Sequence, residues 1–563
     1  MARNAAEALG ATGVPSFTTE LIAGNLRWDL LSPWPCSDPA DDARADEAIA
    51  LLGKVLRTVD PVTVDDTGKL PAELLADLRR HGLLAPGVPI ADGGLGLTPS
   101  GVFRLVEAAA RHTRAVSMTM AIEAAIGVGA YLPVLAEGPL RATVREALRA
   151  GALSGTADTE PSGAANRRRE TVAVPTPDGT AYLVTGEKVY VGNAPIADLL
   201  WITATVRSPD RERVRTFLIR TDDPGVVVTP HEFMGLRGFP NGRITFTDVR
   251  VPADLVLVEE DDYEGRITPA ITVMLSLGRL YLICAPALAI ARTSLRLAGD
   301  FARTRMIDDR PLARYDAVRR STADSLAEVF AIESVTEWCL LAGPVRGLNP
   351  LLEQNLAKNI CSLDSWRTVD RTMSLLAAEG FETDRSRLAR GMPAGSVDRL
   401  FRDARGLRIS GGVDYLLDYW FSQMIVFAGA RGTGPGAPAP DLRHDGLTPR
   451  NAEHLRGAAA STRALAVLCD EFAAEGDDGA APADQQQRHI AIGATYRELA
   501  AMALCLARAQ HLAAGGDETA QHLADVYCTA ARRRIDDWWP QISRAAQPPY
   551  AAVSDEWIDH GRR

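Results

Sequence analysis

The chain has 563 residues, too many for a single hydrophobic core, so three or four domains are expected. Hydrophobic residues make up 46% and charged residues 24%, the balance of an ordinary globular protein, for which disorder is not the default. The net charge of −11 argues against a general nucleic-acid binder.

Residues 1–40 are rich in Pro and Gly and weakly periodic, which predicts an irregular N-terminal arm. Met1 to Pro15 lacks the long apolar core of a secretion signal. Over 41–152, apolar residues recur at three and four spacings in 45–58, 71–81, 99–111, 115–132 and 142–150, which predicts an N-terminal helical domain. The texture changes at Leu153. Short β-branched runs at 171–174, 181–184, 188–191, 199–206, 215–219, 226–230 and 243–246 are separated by Pro, Gly, Asn and Asp, which predicts a middle β-barrel or sandwich domain over 153–262. Helical patterns return over 263–428, in 274–303, 317–342, 351–379 and 397–407, and predict a helical bundle. Residues 429–450 have the Gly/Pro composition of a linker. Helices over 451–475, 484–513 and 518–542 predict an extra C-terminal helical domain within 451–563. The fold class is therefore α+β and not a Rossmann fold.

Most of the seven cysteines lie in apolar helical stretches without a CxxC pair, so buried free thiols are expected. No His/Cys cluster has metal-ligand spacing, so no metal site is expected. No window reads as apolar enough, for long enough, to span a bilayer, and a cytoplasmic setting is the expectation. The basic residues are almost all arginine; the lysines are Lys54, Lys69, Lys188 and Lys358.

Local motifs sharpen this order of domains. They are Pro89–Gly96, Asp158-Thr159-Glu160-Pro161, Gly186–Asn193, Gly235–Gly238, Phe246–Pro252 and Arg402–Arg405 with Arg408-Ile409. In this sequence and at these gaps, the chain resembles the acyl-CoA dehydrogenase family, flavoproteins with a helical domain, a β-domain and a four-helix bundle. The tail over 494–539, with Thr519–His522 and Tyr527-Cys528, is similar to the extra helical domain of very-long-chain acyl-CoA dehydrogenases. The segment that aids membrane association in that group is here rich in Gly and Pro, so membrane association is not expected.

The resemblance implies FAD as cofactor and an acyl thioester, on CoA or on an acyl carrier protein, as substrate. Asp158 and Thr159 match the loop beside the flavin pyrimidine, Tyr190 an aromatic residue packed on the flavin, and Gly192 a common threonine near N5. Arg305 matches an arginine that reaches FAD phosphate across a dimer interface, which implies a homodimer or a dimer of dimers. Asp308 and Asp309 replace a Phe-Gly pair, and Ala377-Ala378 replaces a Gly-Gly pair that lets backbone approach FAD. Arg279 matches an arginine near the CoA moiety, and Ala165 replaces a serine that contacts the thioester ligand. The run Arg167-Arg168-Arg169 reads either as a solvated β-edge or as a docking patch for phosphopantetheine or an acidic carrier protein.

The family's reaction removes an α-proton with a carboxylate while hydride leaves the β-carbon. The common pattern at the base is Tyr-Glu-Gly-Thr, but this chain reads Ser410-Gly411-Gly412-Val413, so the base position falls on Gly411. The alternative position on the preceding long helix is Gly278. Asp414 is the nearest carboxylate in sequence and reads mainly as a helix-start residue. The expected activity is an atypical FAD-dependent oxidoreductase on acyl thioesters, of the kind used in specialised biosynthesis. The alternatives are a flavin-dependent monooxygenase or oxidase on the same fold, or a redox-inactive acyl-binding or non-redox relative.

Overall fold

The computed structural model describes residues 14–166, 169–207, 212–257, 269–395, 397–427, 445–475, 485–543 and 549–560. The chain divides into two compact units, one built on residues 34–412 and the other on 15–33 with 413–563. The expected arm is therefore not featureless. Its helices α1 (Phe17–Ile22) and α2 (Trp28–Leu31) belong to the second unit. They were missed because each is too short to show a helical period.

The first unit opens with helices whose starts are written in the sequence. In α3 (Pro39–Leu56), Asp38 accepts the Ala40 N–H and Pro39 sits in the first turn. In α4 (Pro61–Thr67), Asp60 accepts two backbone N–H groups and Gly68 ends the helix with φ 65°. Helix α5 (Ala72–Arg80) follows, then α6 (Pro99–His112), which is capped by Thr98. Helix α7 (Arg114–Ile126) is buried on nearly every face, so it is the centre of this layer. Short α8 (Val128–Tyr131) and α9 (Pro139–Arg149) lead to the sheet.

The sheet has eight strands: β1 (Ser154–Ala157), β2 (Val172–Pro175), β3 (Ala181–Gly192), β4 (Leu199–Arg207), β5 (Glu212–Arg220), β6 (Val226–Pro230), β7 (Asn241–Pro252) and β8 (Val256–Leu257). The order is β6-β7-β3-β2-β4-β5-β8, with β1 parallel to β4. Two predicted strands merge into β3, because Gly186, which reads as a turn, takes φ 152° at an irregularity inside one strand. The β3–β7 register shifts twice, between Val184 and Gly186 and between Lys188 and Val191. The second bulge lies at the candidate site. Val184, Val191, Phe217, Ile244 and Phe246 fill one apolar core of the sheet, while Trp201 packs with Tyr131 against the helical layer.

The bundle consists of α10 (Pro269–Arg279), a π-helical turn at Leu280–Cys284, α11 (Ala285–Thr304), α12 (Asp316–Arg346), α13 (Leu351–Leu376) and, after short α14 (Ala378–Phe381) and α15 (Asp384–Ala389), α16 (Val397–Leu407). A small hairpin, β9 (Met306–Ile307) and β10 (Arg310–Pro311), turns at Asp308-Asp309, both with positive φ.

The second unit carries α17 (Asp414–Phe427), α18 (Pro449–Glu475), α19 (Gln486–Ala514), α20 (Thr519–Ile542) and α21 (Tyr550–His560). Helix α19 is its buried centre, and the Tyr496 hydroxyl donates to the Ile22 carbonyl. Most of the predicted 429–450 linker lies outside the described residues.

The expectation about membrane windows is corrected. Arg114–Val134, Ile271–Thr304 and Gln486–Ala514 are each long and apolar enough to cross a bilayer, with mean hydropathy 1.5, 1.9 and 1.4. These windows are 78%, 67% and 94% buried within the protein, so their apolarity is that of core helices.

Candidate functional site

The site is framed by two ion pairs at the exit of β1, one fully buried and one with a buried arginine on a half-exposed aspartate. Arg169 donates to both Asp158 carboxylate oxygens at 2.7 Å, and Thr203 Oγ1 donates to Asp158 Oδ1 at 2.7 Å. Beside it, Lys188 Nζ donates to Glu160 Oε1 at 2.8 Å and to Thr203 Oγ1 at 3.2 Å. Glu160 also accepts the Glu170 and Thr171 N–H groups at 2.7 and 3.0 Å. Burial pushes the Glu160 carboxyl up, but the Lys188 bond and these two N–H donors outweigh it and hold it below the usual range. Both Lys188 and Glu160 are within 1% of complete burial, so this frame is rigid.

The frame holds Thr159 between its two pairs. Thr159 accepts the Val189 N–H at 2.9 Å through its carbonyl. Tyr190 follows in the bulge at φ 59°, an unusual conformation for an aromatic residue. The residue is 63% exposed, and its ring lies 5.4 Å from His231 and 6.2 Å from Phe233. The bulge therefore turns an aromatic face outward beside the Thr159 loop.

Behind this loop Gly192 is glycine for steric reasons. A Cβ there would meet Ile122 Cδ1 at 2.7 Å and Phe239 Cζ at 3.0 Å. The next residue, Asn193, reaches α7 and donates to Glu123 Oε1 at 3.3 Å. Glu123 also accepts the Ser154 N–H and hydroxyl, each at 2.6 Å. Burial pushes the Glu123 carboxyl up to about 8.

The two glycines expected at the base positions differ. A Cβ on Gly278 would lie 2.9 Å from Ala125 Cβ and 3.2 Å from Ala125 O, so α10 and α7 touch there and a side chain has no room. At Gly411 the nearest atom to a Cβ is Ile283 Cγ1 at 3.5 Å, an ordinary contact. There the backbone is the obstacle, because φ is 69°, a left-handed conformation that favours glycine.

Helix α13 ties both places together. Lys358, fully buried, donates to the carbonyls of Arg408 at 3.1 Å and Gly412 at 2.6 Å, and so holds the glycine turn. One turn earlier, the Asn355 side-chain oxygen accepts from Arg279 and its amide donates to Ser276 Oγ at 3.2 Å. Burial lowers the Arg279 guanidinium to about 10.

Arg305 forms an ion pair with Glu379 in the same chain and lies over the Phe301 ring at 4.7 Å. Ala377 takes φ 52° and ψ −131°, a conformation that glycine occupies freely and alanine does not. A flavin ring thus finds fitting neighbours in the outward Tyr190 face and the Thr159 loop. Where the diphosphate is expected, Glu379 already holds Arg305 and a methyl group stands on the Ala377 backbone.

Of the residues singled out in the sequence, the structure brings Asp158, Thr159, Tyr190 and Gly192 into one place. Arg279 and the Gly411 turn meet on one face of α13. Ala165 is exposed in the loop after Pro161. Asp414 lies in the second unit, where its carboxylate accepts the Tyr415 N–H at 2.9 Å at the start of α17. Arg169 is neither a solvated edge nor a docking residue, since its side chain is fully buried on Asp158; Arg167 and Arg168 lie outside the described residues. Glu123 and Lys358 were not singled out in the sequence at all. One signal was available. In a chain that uses arginine almost throughout, two of the four lysines, Lys188 and Lys358, sit fully buried where a compact ammonium is needed.

Residues 155–249 match the acyl-CoA dehydrogenase middle domain, and residues 268–417 match the acyl-CoA dehydrogenase C-terminal domain. The chain is 29% identical over 437 residues to “Probable acyl-CoA dehydrogenase FadE10” of Mycobacterium tuberculosis, covering 76% of this chain and 66% of that one, just under two thirds of its length. It is 25% identical over 597 residues to the mitochondrial very long-chain specific acyl-CoA dehydrogenase of Mus musculus, covering 97% of this chain and 88% of that one. Among solved structures, an acyl-CoA dehydrogenase complexed with FAD from Bacillus anthracis superposes with TM-score 0.74 at 19% identity, over 97% of this chain and 95% of that one.

Proposed function

The chain belongs to the acyl-CoA dehydrogenase family through its middle and C-terminal domains, and on that premise we propose that it is an FAD-dependent oxidoreductase acting on an acyl thioester. The observation that carries this reading is the rigid frame of Asp158–Arg169 and Glu160–Lys188, which presents Thr159 and the outward face of Tyr190 together. Thr159, Tyr190 and the Gly192 backbone would hold the flavin ring, and the bound flavin would supply the hydride acceptor. The Asp158–Arg169 pair fixes the loop, so orientation costs little when a ligand arrives. The thioester would be carried by CoA or by an acyl carrier protein, and the working form would be a homodimer or a dimer of dimers.

The reaction is atypical in its proton step. Neither Gly278 nor Gly411 carries a side chain, and the absence of a positioned base typically costs on the order of 10²–10⁴ in rate. Specialised biosynthesis, where slow turnover is tolerated, suits this arrangement. A second reading, a non-redox acyl-binding relative, is favoured by the Arg305–Glu379 pair and the alanine at 377.

The visible spectrum of the purified protein separates the two. A yellow protein, or one that becomes yellow with FAD, whose absorbance bleaches anaerobically with an acyl-CoA is the expected result. A protein that remains colourless after incubation with FAD sinks the oxidoreductase reading and leaves the second. Yellow colour without bleaching, but with oxygen-dependent product when a flavin reductase is supplied, moves the reading to a monooxygenase.

A further inference from the structure

The segment 377–381, between α13 and α15, joins three unusual features. Ala377 takes φ 52° and ψ −131° although it is exposed, so packing on its side chain does not impose that conformation. Glu379, in α14, forms an ion pair with Arg305 at the end of α11 and lies 3.9 Å from Arg387 of α15. Phe381, the last residue of α14, is 79% exposed.

The two arginines form a clamp around one carboxylate. Arg387 is mostly buried, and its guanidinium also donates to the Glu379 and Pro393 carbonyls at 3.5 and 3.3 Å. Arg305 is half-exposed on the Phe301 ring. Neither meets a second carboxylate among the described residues, so two positive charges face one negative charge. Glu107, Asp92 and Glu498 are likewise shared by two arginines, but they are buried. Both partners of Asp300 lie close by in its own helix. Glu379 is different, because it is open to solvent and joins arginines of two other segments. An ion pair so exposed is weak, since water screens it. The contacts that keep Ala377 in place are therefore local. The Gly380 N–H donates to the Ala377 carbonyl at 3.0 Å, Gly380 packs on Met373, and the clamp holds Glu379. Backbone strain of this kind is relieved when the segment moves.

We propose that α14 is a displaceable strap, in which Glu379 fills an anion clamp of Arg305 and Arg387 until the diphosphate of a ligand takes its place. This rests on the reading of the chain as an FAD-dependent enzyme of acyl thioesters, and adds to it a competitor within the protein itself. A diphosphate suits the clamp because it brings two negative charges to two guanidinium groups, each of which binds phosphate oxygens in pairs, where Glu379 offers one charge. FAD and CoA both carry that group, and paired ligands separate the two sources.

On the full chain, binding of FAD is compared with that of riboflavin by quenching of flavin fluorescence, and binding of an acyl-CoA with that of the matching acyl-pantetheine by calorimetry. Glu379→Gln is expected to tighten FAD, the acyl-CoA or both by about five-fold or more, with riboflavin and acyl-pantetheine unchanged. A gain within the flavin pair assigns the clamp to the cofactor, and a gain within the thioester pair assigns it to the substrate. Adding Glu379→Gln to Arg305→Gln gives no gain, and neither does Glu382→Gln, which removes a carboxylate paired with Arg390. Unchanged affinities in Glu379→Gln overturn the inference while the parent's binding keeps the reading beneath it. A gain that persists without Arg305, or that Glu382→Gln reproduces, is a general effect of charge and also overturns it. Failure of parent and variants to bind any of the ligands removes the reading and the inference together. Should Glu379→Gln not fold, Glu379→Ser is read in the same way.

Discussion

A carboxyl group with a pKa near 8 is a measurable object. Glu123 is fully enclosed, with Ser154 and Asn193 as its donors and no cation in contact among the described residues. Its folded pKa stands above the ordinary 4.5, so ionisation opposes folding. Its contribution is intact below about pH 4.5 and declines as pH rises toward about 8. Glu123→Gln keeps the shape and removes the titration. Denaturant titrations from pH 5 to 9 should therefore show the variant gaining on the parent as pH rises, by roughly 1.4 kcal/mol per unit of pKa shift at most. Parallel curves would refute the assignment. Ala377 offers a test of backbone strain. Its φ of 52° with ψ −131° costs about 1–3 kcal/mol for alanine, offset by up to about 1 kcal/mol of added chain entropy in glycine. Ala377→Gly is expected to raise stability by about 1 kcal/mol, read from the denaturation midpoint; a lower midpoint would mean that the strain is absent.

Among elements, the bulge in β3 and the loop after β1 depend on each other. Val189 donates to Thr159, and Lys188, the residue before it, enters the loop's ion pairs. Removing one charge leaves the other buried without its partner, which costs about 3–5 kcal/mol, whereas removing both can be nearly neutral. Glu160→Gln and Lys188→Met should each destabilise by that amount, and the double variant by clearly less than their sum. A double-mutant cycle by thermal or chemical unfolding measures this directly, and additive losses would show that the pair is not coupled. The same reasoning explains why Gly278 belongs to packing. Helices α10 and α7 approach through Ala125, whose methyl group and carbonyl take the space a carboxylate would need.

On the scale of the whole molecule, two units share the labour of 563 residues. Periodicity marked most long helices to within a few residues, as with Val397–Leu407, because amphipathic spacing is a local property. Strands were marked less completely. Ser154–Ala157 is short and small-sided, and β7 runs on to Pro252 through Asp248 at φ 48°, which reads as a turn. The three membrane-length windows illustrate the opposite failure, since composition alone does not say whether an apolar helix is covered by protein.

By itself the sequence determined the α+β order of domains, the family resemblance and the Asp158–Thr159 and Tyr190 motifs, and it raised the expectation of two glycines where a base would stand. These are patterns of neighbours along the chain, and local sterics and hydrophobic spacing write them there. Only the tertiary structure decided that Gly278 is closed and Gly411 open, that Arg305 is paired within its own chain, that Glu123 is held protonated near neutral pH, and that Arg279 has no carboxylate beside it among the described residues. Each of these depends on what distant segments bring within a few ångströms, and burial and charge pairing are set by that approach, not by position in the chain.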